Sequence, residues 1–178
     1  MSAVAVDLWE TLAAEAAAES LLWEDALLPA DARERVPVFS QLGPRGHVLG
    51  IETIYEGYLV HYGRPRLFAP ADADTALLLG DYLYAHGLVR VAAAGSVEAV
   101  GDLAELISLC AQSRAEGGPS DGFAWAATAA LLGEGALGEA RDALRVRRDD
   151  SLLERLARGR AGDGAVERAL AAHARRLG

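Results

Sequence analysis

The chain has 178 residues, 52% of them hydrophobic and 6% aromatic, enough for one domain with a real core. Seventeen arginines, no lysine and 26 acids give a formal charge of −9. That balance argues against a phosphate-neutralising nucleic-acid surface and against broad contact with anionic lipid.

Alanine and leucine dominate while valine and isoleucine are scarce, which favours helix over sheet. Residues 4–28 predict one amphipathic helix, with Trp9, Leu12, Ala16, Trp23 and Leu27 on one stripe and Pro29 at its end. Asp31 is placed to cap a short turn through Arg35. Residues 36–47, VPVFSQLGPRGH, read as a connector. A second helix is expected over 47–61, with Ile51, Ile54, Tyr55, Tyr58 and Leu59 on its apolar face and Gly63 and Pro65 stopping it. The third starts at Asp72 or Asp74 and runs to about residue 94. Its stripe of Leu77, Asp81, Tyr84 and Leu88 puts Asp81 on or beside the apolar face, where an unpaired carboxylate is costly.

Ser96 caps a fourth helix whose inner stripe is Val100, Leu103, Ile107, Cys110 and Arg114. GGPSDG, 117–122, is a break. Residues 123–132 form a short, nearly uncharged helix that should be buried on most sides. Residues 137–148 are amphipathic, and SLLERLARG and AVERALAAHARRLG form a last pair with Val166, Leu170, His173 and Leu177 aligned. RVPVF is the only weak strand candidate, with nothing to pair with. The expected fold is all-α: one domain over 1–178, a single bundle of seven or eight helices.

Several single residues invite a chemical reading. His61 fits a packed or capping residue more readily than a base. Arg64 and Arg66 flank the Gly63 turn and could grip an anion or simply face solvent in a loop. Asp81 reads either as a ligand or as a carboxylate satisfied by its surroundings. Tyr55, Tyr58, Tyr62, Tyr82 and Tyr84 cluster on two helices, as core or as a cavity lining. Cys110, the only cysteine, excludes an internal disulfide and reads as inert packing in a reducing compartment. The first residues lack the basic leader of a signal peptide, and no run reaches the roughly 20 apolar residues of a membrane span. A cytoplasmic location is expected. No nucleophile-elbow, C-x-x-C or H-E-x-x-H pattern occurs.

The middle of the chain resembles the trans-prenyl diphosphate synthases, the polyprenyl synthetase family. The likeness rests on ETIYEGYLVHY (Glu52, Ile54, Tyr55, Leu59, Val60, His61), on Gly63-Arg64-Pro65, and on LLLGDYLYAHGL with Gly80 and Asp81. ISLCAQSRAEG, AATAALL and the last two helices extend it over about two thirds of the chain. The resemblance implies a shortened isoprenoid synthase fold. It also implies that His61, Tyr62, Arg64, Arg66 and Asp81 are the ligand-binding candidates.

The departures from the family matter more. The family holds magnesium with two aspartate-rich motifs. Here Tyr62 and Gly63 stand where the first would begin, and in an ungapped register Glu52 and Glu56 lie over it instead. RDDSLLE offers Asp149, Asp150 and Glu154 in place of the second, but it also reads as a helix start. The family's diphosphate-gripping lysines have no counterpart. The expectation is therefore a non-catalytic relative with no cofactor, acting as a homodimer or as a heteromeric partner of a full-length prenyl synthase. One alternative is a module that binds an isoprenoid or another lipid chain. The other is a residual magnesium-dependent synthase using Glu52, Glu56, Asp81 or Asp149 and Asp150.

Overall fold

Gly50 through Val60 are buried without interruption along one helix, and the other elements are arranged around it. The structure, a computed structural model, describes residues 7–117 and 121–177. Within them the order is α1 (Leu8–Glu19), α2 (Leu21–Asp25), two single 3-10 turns (Ser40–Leu42, Arg45–His47), α3 (Val48–Tyr62), α4 (Ala73–Ala93), α5 (Val97–Ala115), α6 (Gly122–Ala130), α7 (Gly138–Arg147), α8 (Ser151–Ala161) and α9 (Asp163–Leu177). The architecture is all-α. Residues 35–39 form no strand, and the isolated bridge among the described residues pairs Leu27 with Phe68. No helix among the described residues is long and apolar enough to cross a membrane.

Among the described residues nine helices stand where seven or eight were expected, because the first run is divided. Ser20 is extended (φ −157°) and its hydroxyl accepts from the Leu22 amide, so it starts α2 rather than continuing α1. Residues 4–6 of that predicted helix lie outside the described residues. The third and fourth helices begin as the caps foretold: Asp72 takes the Thr75 amide at 2.7 Å, and Ser96 takes that of Ala99 at 3.1 Å.

The predicted stripes need two corrections. On α4 the buried residues are Leu79, Gly80, Leu83, Gly87 and Val91, while Leu77 is 56% exposed and the Asp81 side chain 67% exposed. Asp81 therefore incurs no burial cost. On α5 the inward face is turned slightly, to Ala99, Asp102, Leu103, Leu106, Leu109 and Cys110, with Val100 and Ile107 at its margin. In both cases the burial of a small or polar residue moved the face. Gly80 and Asp102 carry no hydrophobic signal, yet each meets a specific partner.

For Gly80 that partner is α3. The two helices run antiparallel with Gly50 and Gly57 on one facing Gly87 and Gly80 on the other. A Cβ at Gly57 would stand 2.9 Å from the Gly80 carbonyl oxygen, and one at Gly87 would stand 2.4 Å from the Ile54 side chain. Glycines two turns apart on each helix allow this approach. For Asp102 the partner is Arg141: its carboxylate accepts from Arg141 Nη1 at 2.9 Å and from the Gly133 amide at 2.8 Å, joining α5 to α7 and to the turn after α6.

Two apolar clusters lie on either side of α3. The larger unites it with α5, α6, α7, α8 and α9 around Phe39, Tyr55, Tyr58 and Trp125. The smaller, with Trp9, Leu12, Trp23, Leu67, Phe68, Leu79 and Leu83, closes α1 and α2 onto α3 and α4.

Candidate functional site

Two knots of buried polar side chains meet at α3. Glu52 and Glu56 are one turn apart, so both carboxylates leave the same face. That face meets Arg66, from the segment after the Gly63-Arg64-Pro65 turn, and all three side chains are fully buried. Arg66 Nη1 donates to Glu52 Oε2 at 2.5 Å and to the Val36 carbonyl at 3.0 Å, and its Nε donates to Glu56 Oε2 at 2.8 Å. The surplus negative charge is met by backbone amides. Val38 and Ser40 donate to Glu52 Oε1 at 3.1 and 3.2 Å, and Arg66 and Leu67 donate to Glu56 Oε1, each at 2.8 Å. The guanidinium lies 4.6 Å from the Trp9 ring centroid and 5.0 Å from that of Tyr55. Burial alone would lower the Arg66 pKa, but the two glutamates outweigh it and hold the guanidinium charged.

Tyr55 links this knot to a second one. Its hydroxyl is 2.9 Å from His173 Nδ1, and His173 Nε2 is 3.3 Å from Asp121 Oδ1. Asp121 also accepts from Tyr58 at 2.7 Å and from Arg114 Nε at 3.1 Å. Since an ionised carboxylate only accepts, Nε2 carries the proton toward Asp121 while Nδ1 faces the Tyr55 hydroxyl. Burial pushes Asp121 upward, yet the hydrogen bonds from His173, Arg114 and Tyr58 prevail and hold it down at about 2. Burial raises Tyr55 and Tyr58, so both phenols stay neutral donors. Beside them the Cys110 thiol is pushed up first by burial and then by Asp121, which leaves it an inert thiol.

Carboxylate, imidazole and phenol in line have the outline of a proton relay, but here the line is closed. Asp121, His173 and Tyr55 are at most 2% exposed, and the phenol that ends the row is itself covered. The arrangement cross-links α3, α6 and α9 and ends at the partly exposed Arg114. It makes an acid prediction. The folded pKa of Asp121 lies near 2, below the ordinary value of 3.8, so its stabilisation is complete above pH 3.8 and disappears as pH falls through 2. About 2 kcal/mol of unfolding free energy should be lost across that window. Urea titrations from pH 5 to pH 2 should show the loss, and Asp121→Asn should flatten it.

The five ligand-binding candidates divide among separate places. Arg66 is interior, tied to Glu52 and Glu56 rather than facing solvent in a loop. Arg64 is an exposed side chain 3.9 Å from Glu34, its amide bound to the Arg176 carbonyl. His61 is wedged against Gly80, with Nε2 3.2 Å from Asp81 Oδ1 but poorly aligned as a hydrogen bond. Burial lowers its pKa more than Asp81 raises it. Tyr62 packs beside His61 and Tyr58, with the Arg114 guanidinium 5.6 Å from its ring centroid.

Of the metal candidates, Glu52 and Glu56 point at Arg66, and Asp149 accepts the Ser151 amide at the start of α8 with Asp150 at its N-cap position. No three His, Cys, Asp or Glu side chains among the described residues are grouped as a metal site requires. Asp121 was missed in the sequence because it sits in GGPSDG, which reads as a surface break. The available signal was the uncharged helix directly after it. A helix buried on most sides carries its first turn inward with it.

No protein-family model matches the chain, and neither does any curated protein or solved structure.

Proposed function

We propose that the chain works by association, as a non-catalytic, prenyl-synthase-like subunit that pairs with itself or with a full-length synthase. What carries this reading is the use of Glu52 and Glu56. The carboxylates that lie over the family's first magnesium motif in the ungapped register are spent on an internal arginine and on four backbone amides. A divalent ion would have to displace Arg66 from a fully buried position before binding them.

The outer faces of α4 and α5 favour a protein partner. Leu78 and Val89 are 56% and 64% exposed on α4, and Val97 is 81% exposed where α5 begins. Leu78 and Val89 lie with the exposed Ala85 and Ala92 on one face of α4, at spacings of seven, four and three. Apolar residues grouped in this way mark interaction surfaces more often than residues scattered singly.

The experiment is sedimentation equilibrium of the chain alone and of its mixture with a full-length prenyl synthase. A dimer or a defined complex is expected, and Leu78→Glu with Val89→Glu should dissociate it without altering the circular dichroism. A monomeric chain both alone and in the mixture would overturn the reading. So would magnesium-dependent condensation of an allylic diphosphate with isopentenyl diphosphate by the purified chain.

A further inference from the structure

A groove runs between the connector before α3 and the outer side of α9. Val36, Pro37, Val38 and Leu42 form one wall, and Ala165, Ala169 and Ala172 form the other. Those alanines recur at four and three residues, so they lie on one helical face, and their small side chains leave the space open. The groove measures about 390 Å³, within the usual range for small-molecule sites. It continues past Val36, Val38, Ala172 and Arg175 into a narrower recess of about 140 Å³ beside Arg64 and Arg176.

Its charge is opposite to that of the molecule. The protein carries −9, yet among the described residues no acidic side chain lines the wider groove, while Arg168 and Arg175 both do. Most arginines of this protein are spent on a carboxylate, as Arg66, Arg114, Arg141, Arg158 and Arg176 are. Arg168 and Arg175 are exposed and have no acidic partner among the described residues. They are seven residues apart, roughly 10 Å along the helix, with the apolar floor between them. The one acid nearby, Glu34 in the narrow recess, is bonded to Arg176 at 2.5 Å and lies 3.9 Å from Arg64.

We propose that this groove binds a free single-chain anionic amphiphile, its carboxylate or phosphate head on Arg175 or Arg168 and its chain on the Val36, Val38, Ala169 and Ala172 floor. A guanidinium fork suits such a head, and the floor gains by removing a chain from water. Inorganic anions would leave the floor unused. An anionic bilayer is opposed by the net charge and by the concave shape. The site uses neither Glu52 nor Glu56 and no exposed residue of α4 or α5, on which the association reading rests, so either can fail alone.

Calorimetric titration of the intact chain with dodecanoate below its micellar concentration tests it. One saturable site is expected. Arg168→Gln with Arg175→Gln should weaken it at least tenfold, and Ala172→Leu should do the same by filling the groove with both arginines in place. Circular dichroism of each variant confirms that it is folded. Three results would overturn the proposal: equal affinity for neutral dodecyl maltoside, unchanged affinity in both variants, or binding to phosphatidylglycerol vesicles without binding to the monomeric amphiphile.

Discussion

Arg66→Met is expected to remove about 3–5 kcal/mol of unfolding free energy, a large share of what a domain of this size possesses. The loss is not the strength of an ion pair. It is the cost of leaving Glu52 and Glu56 charged, fully buried and without a cation. It also releases two chain segments, because the same carboxylates hold the amides of Val38 and Ser40 on one side and of Arg66 and Leu67 on the other. Urea denaturation should show the midpoint falling sharply. Adding Glu52→Gln and Glu56→Gln to Arg66→Met should recover part of the loss, since the neutral amides still accept from the backbone. A thermodynamic cycle would then return a coupling of several kcal/mol. A cost for Arg66→Met below about 1 kcal/mol would mean that water reaches the knot.

Gly57→Ala should destabilise by about 1–3 kcal/mol although it improves helix propensity by up to about 1. The added methyl meets the Gly80 carbonyl oxygen 2.9 Å away, and a backbone atom yields only if the helices separate. Gly159→Ala is the contrast. That glycine lies in α8 with nothing within 4 Å of an added Cβ, so the change should stabilise by about 0.5 kcal/mol. Thermal melts of the two variants should therefore move in opposite directions. If both rise, the α3–α4 approach is looser than described.

Helices, their caps and most boundaries were legible in the sequence because periodicity and Ser or Asp caps are local signals. Asp72, Ser96 and the uncharged run of α6 were read this way. What escaped was what depends on a partner. Arg66 resembles any loop arginine until α3 is known to present two carboxylates to it. Gly80 looks like part of a motif, but the packing uses it for its missing side chain. The Asp81 stripe failed because Leu77 and Leu78 are apolar and exposed, and hydropathy cannot separate a core leucine from one on an outer face. His173 was placed on the correct face of the last helix, but its partners Tyr55 and Asp121 lie 118 and 52 residues away, beyond any window of sequence.

Those separations bear on how the protein comes into being. The Tyr55–His173 and Glu34–Arg176 bonds close loops of 118 and 142 residues, and α9 supplies both closing ends. Until that helix leaves the ribosome, α3 has one flank without its cover, with an unpaired phenol and an apolar wall facing water. Co-translational folding can proceed no further than a partial bundle until α9 has emerged. During synthesis the nascent chain would accordingly present chaperones with the half-built interior around Tyr55, Tyr58 and Trp125 as its sticky surface.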